Sequence, residues 1–165
     1  MEVEQWKVDK TNWDPGPWHD EPDRIDFEHA GLPCLILRSD ITGALCGYAA
    51  VPPGHPAHGK GWNDGLDLNV HGGCTYFGAC AGHICHVPKP GEPDDVWWFG
   101  FDCSHSGDLS PAMDARIRAY TPPESWAERA ALKARVPFPF HESYKPVEYV
   151  RREVEELAEQ LKRMA

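Results

Sequence analysis

At 165 residues the chain has the length of one domain, enough to bury roughly two-thirds of the surface that its unfolded form exposes. Its 26 Asp and Glu against 16 Lys and Arg leave a net charge of −10, which excludes a nucleic-acid duplex as partner because phosphate binding needs a basic face. Seven Trp with 16 Pro and 15 Gly argue for a loop-rich α+β protein, and no stretch reads as a signal peptide or membrane span, so a cytoplasmic, membrane-free protein is expected.

Residues 1–31 read as an irregular arm, with Trp6, Trp13 and Trp18 set among turn-forming DPGP and DEPD segments. A single α+β domain is expected over 32–165. Its first strand is Pro33–Ser39 and its second Ala44–Val51, joined by turn chemistry at Ser39–Gly43 into a hairpin. Gly47 inside the second strand marks a bulge or a close backbone approach. Pro52–Gly65 is an aperiodic loop carrying His55, His58, Lys60 and Trp62, long enough to suggest a functional role.

Leu66–His71 alternates apolar and polar residues and predicts a half-buried strand, whereas 78–95 is loop-like. Val96–Phe101 is an aromatic run of the kind that fills a buried strand. Pro111–Ala119 predicts a short helical turn and Glu124–Arg135 a helix, followed by an extended PFPF run at 137–140. Over 146–164, Val147, Val150, Val154, Leu157, Leu161 and Met164 recur at steps of three and four, an amphipathic helix with Pro146 in its first turn. Glu148–Arg152 and Glu159–Arg163 are placed as i,i+4 pairs, about 0.3 kcal/mol each. The expected architecture is a small mixed or antiparallel sheet with long loops, packed against this helix. The same stripe would also suit a homo-oligomer.

Two constellations carry candidate chemistry. In the first, His71 is followed by Gly72, Gly73, Thr75 and Tyr76. Two glycines let backbone N–H groups approach an anion, and His71 suits a phosphate, a carbonyl or a metal; a tight turn with a satisfied histidine is the plainer reading. The second follows the aromatic strand with Asp102, Cys103, His105, Gly107 and Asp108. Asp102, His105 and Asp108 fit a metal set with His71 as fourth ligand, an acid/base pair, or carboxylates capping turns. A rigid strand ending in a small-residue turn exposes such groups, so His71 and the 102–108 turn are expected at one pocket rim.

Cys80, His83, Cys85 and His86 lie too close together for the paired spacing of a structural zinc site and are read as loop residues, with all six cysteines reduced. No Gly-x-Ser-x-Gly, HExxH, P-loop or EF-hand pattern is present.

The strings GYAAVPPGHPAHGKG, LDLNVHGGCTYFG, WWFGFDCSHSGDLSP and VEYVRREVEELAEQL resemble small proteins of tailed phages and prophages, over roughly residues 33–164. The resemblance marks His71, Gly72, Gly73, Thr75, Tyr76, Phe101, Asp102, Cys103, His105, Gly107 and Asp108; it carries no settled activity, and anti-defence is one role open to a small phage protein. The leading expectation is a protein that sequesters a nucleotide-derived immune signal, such as a cyclic ADP-ribose variant or a cyclic dinucleotide. Trp62, Tyr76, Trp97 and Trp98 would stack on its bases, and His71, His105, Lys60 and Arg38 would meet its phosphates. This reading needs no cofactor. The rival is a phosphodiesterase with a divalent metal held by His71, Asp102, His105 and Asp108. A third is a protein–protein inhibitor acting through its acidic face.

Overall fold

The computed structural model describes residues 6–135 and 142–165. Five strands make one antiparallel sheet: β1 Arg24–His29, β2 Leu32–Arg38, β3 Leu45–Val51, β4 Tyr76–Ala79 and β5 Trp97–Asp102, in the order β1-β2-β3-β5-β4. Three helices follow: α1 Pro111–Ala119, α2 Trp126–Ala134 and α3 Val147–Arg163. The fold is α+β. The run expected to be extended at 137–140 lies outside the described residues. Among those residues no helix is long and apolar enough to cross a membrane.

Both faces of the sheet are covered, which explains the nearly unbroken apolar runs of β2 and β5. On one face Cys34, Ile36, Leu45, Ala49, Val51, Phe99 and Phe101 pack with Val150, Val154, Leu157 and Leu161 of α3. Those four α3 residues are wholly buried, so the sheet of the same chain already occupies the stripe that would otherwise serve an oligomer. The opposite face holds Leu35, Tyr48, Ala50, Val96 and Trp98, with Cys80 and Ile84 of the β4–β5 connection laid over it.

Several expectations need correcting. The arm is irregular only to Asp23, because Arg24–His29 pairs with β2. Ala30 and Gly31 join the two strands with φ of 54° and 76°, the left-handed pair that a two-residue hairpin turn requires. The tryptophans do pin what precedes: Trp6 Nε1 donates to the Arg38 carbonyl at 2.9 Å, and Trp18 is buried edge-on to Tyr144.

Leu66–His71 is not a strand. Leu68 and Val70 point inward as the alternation requires, but the backbone finds its partners in side chains of α3. Gln160 accepts from Asn69 N at 2.7 Å and donates to Asn69 O at 2.8 Å, and Glu153 accepts from His71 N at 3.1 Å. On α3 the helix-surface pairs also differ. Glu159 meets His29 at 2.9 Å, and the i,i+4 pair that forms is Arg151–Glu155 at 3.3 Å.

Gly47 is a close approach rather than a bulge, since pairing runs through it unbroken on both sides. A β-carbon there would lie 2.5 Å from Phe101 and from Val154. Gly47→Val should therefore lift α3 off the sheet and destabilise the protein by about 1–3 kcal/mol or more. Urea unfolding would measure the change, and a shift under about 0.5 kcal/mol, the range of an uneventful surface substitution, would contradict this packing.

Candidate functional site

The two glycine-broken turns meet. His71 ends the segment held on α3, and the turn after β5 brings Asp108 to it, with His71 Nε2 2.8 Å from Asp108 Oδ2. His105 closes the group: its ring centre is 5.7 Å from that of His71, and its Nδ1 is 3.4 Å from Asp108 Oδ2. One ligand atom from each of His71, His105 and Asp108 lies within 4.8 Å of the others.

Each member is positioned by its neighbours. Asp108 is nearly buried. Burial alone would raise its carboxyl, but hydrogen bonds from His71, Lys145 and the His105 backbone N–H outweigh that and hold it below the ordinary carboxylate value. The corresponding distances are 2.8 Å from His71 Nε2, 3.0 Å from His105 N, and 3.1 Å between Lys145 Nζ and Oδ1. Lys145 is carried there by a short parallel bridge between Asp108 and Ser143.

The other face of His71 meets α3, where Nδ1 lies 2.8 Å from the Tyr149 hydroxyl. Burial raises the Tyr149 phenol, with the nearby Glu153 adding to the effect, so it stays protonated at neutral pH. An ionised Asp108 only accepts, so Nε2 carries the hydrogen in the neutral ring, and Nδ1 accepts from Tyr149.

His105 is held differently. Its Nδ1 is buried and, although Asp108 Oδ2 is 3.4 Å away, makes no aligned hydrogen bond. The ring lies against Gly72, whose φ is 69° and where a β-carbon would sit 2.2 Å from His105 Cε1. The first glycine of the His71 turn is therefore a seat for His105. Gly72→Ala should destabilise the protein by roughly 1–3 kcal/mol through backbone strain and the clash. His105→Ala added to it should restore part of that loss, and denaturation of both variants would show it. If the double variant were no more stable than Gly72→Ala, the ring would not be the obstacle.

Asp102 does not join the group. Its Oδ1 accepts from Ser104 N at 3.0 Å and Ser104 Oγ at 2.8 Å, the turn-capping role, and stands 3.6 Å from His105 Nδ1. Cys103 is buried, and burial drives its thiol well above the ordinary range. Cys74 is pushed up to about 11 in the same way, so neither offers a thiolate nucleophile.

The aromatic and cationic residues expected around a nucleotide have other partners. Trp98 is wholly buried on the opposite face of the sheet, and Tyr76 packs on Tyr48 there. Trp62 is exposed and meets Phe77 edge-on. The Trp97 indole donates to the Lys60 carbonyl at 2.9 Å. Thr75 is exposed, its N–H engaged by the Gly100 carbonyl, while the Gly73 N–H closes the turn on Val70. Arg38 is wholly buried. Its Nε lies 2.6 Å from Asp23 Oδ1, and its Nη1 donates to the Gly43 carbonyl and the Tyr144 hydroxyl, so it is a structural ion pair and not a ligand contact.

Beside His71 runs an open groove of about 570 Å³, walled by Asn69 and by Glu153, Glu156, Gln160 and Arg163 of α3. Tyr149, Glu153 and Lys145 were missed in the sequence. A polar row at Tyr149, Glu153, Glu156 and Gln160, in steps of three and four beside the apolar stripe, was the available signal. No family model, curated protein or solved structure matches the chain.

Proposed function

We propose that this protein is a divalent-metal-dependent hydrolase, with His71, His105 and Asp108 as the metal ligands. One observation carries the reading: a ring nitrogen of His105, whose buried Nδ1 makes no aligned hydrogen bond, shares a 4.8 Å cluster with ligand atoms of His71 and Asp108. Two imidazoles and a carboxylate suit a zinc- or manganese-class ion and leave coordination positions for water. Such an ion supplies a hydroxide nucleophile near neutral pH and polarises the scissile group.

The protein's own residues support loading. His71 Nε2 would release its proton and Nδ1 would take one up, with the Tyr149 oxygen changing from donor to acceptor, an outer hydrogen bond of the kind that orients metal-bound histidines. Lys145 neutralises the far oxygen of Asp108 and leaves Oδ2 facing the two rings. Together with the resemblance to phage proteins, the substrate is a nucleotide-derived phosphodiester signal of the host. Cleavage is favoured over sequestration because Tyr76 and Trp98 belong to the opposite face of the sheet and Arg38 is wholly buried in an ion pair.

The test is incubation of metal-loaded protein with cyclic dinucleotides and cyclic ADP-ribose variants, followed by chromatography. The expected result is a cleaved product that a chelator abolishes and added metal restores. Intact ligand recovered from denatured protein would favour sequestration instead, and a folded protein that retains no metal would end the hydrolase reading.

A further inference from the structure

The β4–β5 connection contains a second cluster, far from α3 in the fold. It leaves the edge strand β4 at Cys80 and crosses the sheet face that α3 does not cover. At the opposite edge Arg24 of β1 fastens it, donating to the His83 carbonyl at 2.7 Å and the Cys85 carbonyl at 2.8 Å. Ala81 and Ile84 form a tight two-way bridge with both N–O distances 3.0 Å, which folds Cys80 and Cys85 back on each other. The two sulfurs form a disulfide, contrary to the expectation of six reduced cysteines.

Three features go beyond a staple. The His86 ring offers a ligand atom within 4.8 Å of both sulfurs. Its Nδ1 is buried and has no hydrogen-bond partner, and the ring stands edge-on to Trp98 with centroids 5.7 Å apart. The Trp98 indole N–H points at Cys80 Sγ from 3.4 Å, a donor that stabilises a thiolate more than a disulfide sulfur. The other four cysteines, Cys34, Cys46, Cys74 and Cys103, are unpaired, and all but Cys46 are buried.

We propose that Cys80, Cys85 and His86 form a redox-controlled binding site for a soft divalent ion of the zinc class, occupied in the dithiol form and emptied by the disulfide. Two thiolates and an imidazole suit such an ion, and water completes a tetrahedron. Oxidation by a hydroperoxide removes two electrons from the two metal-bound thiolates and forms the S–S bond. Hydrogen peroxide takes up those electrons with two protons and leaves as two waters, and the ion departs unchanged in charge. A dithiol reductant reverses the step by thiol–disulfide exchange. In either state the strap stays closed over the sheet, so the exchange holds the fold while releasing or taking up the ion.

Cobalt(II) titration of the full-length chain, reduced under nitrogen and freed of reductant, tests this without reference to any enzymatic activity. The expected signature is a sulfur-to-cobalt charge-transfer band that Cys85→Ser abolishes. His86→Ala should weaken binding at this band at least ~10-fold, and Asp108→Asn should leave the band unchanged, since the His71 site has no sulfur ligand. In zinc-loaded Asp108→Asn protein, where the His71 site holds no ion, one equivalent of hydrogen peroxide should release the zinc to a chromogenic chelator, and reduction should restore binding. A reduced, folded protein without the sulfur band would overturn the proposal. So would zinc retained after the disulfide has formed, or His86→Ala binding cobalt as tightly as the parent.

Discussion

Asp108→Asn should strip the protein of its His71-site ion while leaving it folded. Asparagine keeps the size and one oxygen acceptor, so the His105 N–H contact at 3.0 Å can survive, but the negative charge facing two imidazoles is gone. Loss of an outer hydrogen-bond partner typically weakens metal binding ~10–100-fold, and loss of a ligand should exceed that range. Tyr149→Phe removes only the hydroxyl 2.8 Å from His71 Nδ1 and should fall inside it. Zinc titration calorimetry on the Cys80–Cys85 disulfide form of the parent and the two variants, with circular dichroism as a check on folding, gives the order directly. Equal affinities for parent and Asp108→Asn would remove Asp108 from the site and the hydrolase reading with it.

The largest effect on stability should come from the buried Arg38–Asp23 pair, at the end of β2. A wholly buried guanidinium is tolerable only while Asp23 at 2.6 Å, the Gly43 carbonyl and the Tyr144 hydroxyl surround it. Removing one partner of a buried pair leaves the other charge uncompensated, which destabilises by about 3–5 kcal/mol. Asp23→Ala should lose this much, equivalent to roughly 6–20 °C in Tm at this chain length. Arg38→Met should lose less, because Asp23 keeps Lys10 at 2.6 Å and the Val8 N–H at 2.8 Å.

Acid should act on the same knot. Burial would raise the Asp23 carboxyl, yet hydrogen bonds from Lys10, Val8 and Arg38 together hold it below 3.8. A carboxyl lowered by folding contributes stability that is complete above the unfolded value and fades as pH falls through the folded one. Urea midpoints from pH 6 downward should therefore drop below about pH 4, and drop less in Asp23→Asn. Identical acid profiles in parent and variant would place the acid sensitivity elsewhere.

Much of this molecule was legible in the sequence because local chemistry dictated it. The period of three and four from Val147 to Leu161 specifies a helix with one apolar face, and its partner had to be the β2–β3 hairpin and the aromatic strand, the apolar surfaces large enough to cover it. The convergence of His71 with the 102–108 turn was legible for a reason that turned out different. The two were expected as ends of neighbouring strands, yet Leu66–His71 is held by Gln160 and Glu153 of α3. Alternation reports which side chains face inward. It does not report where the backbone N–H and C=O groups find partners, and here long side chains from a distant helix took the place of a strand.

Arg38, Trp62, Tyr76 and Trp98 mark the other limit. Each has chemistry that suits a ligand, and residue type alone cannot say that Arg38 faces Asp23, fifteen residues earlier, or that Trp98 faces away from His71. Sidedness in a sheet changes with every residue, so a strand that carries functional residues at its end presents its aromatics to whichever face the register assigns. The pairing of β1 was hidden for a related reason. Ala30 adopts a left-handed conformation that only the closed hairpin stabilises, so the Ala-Gly turn carried little signal in isolation. The residue types and their spacing thus determined which groups were available for chemistry, and the packing of α3 against the sheet decided that His71, His105 and Asp108 are the ones that meet.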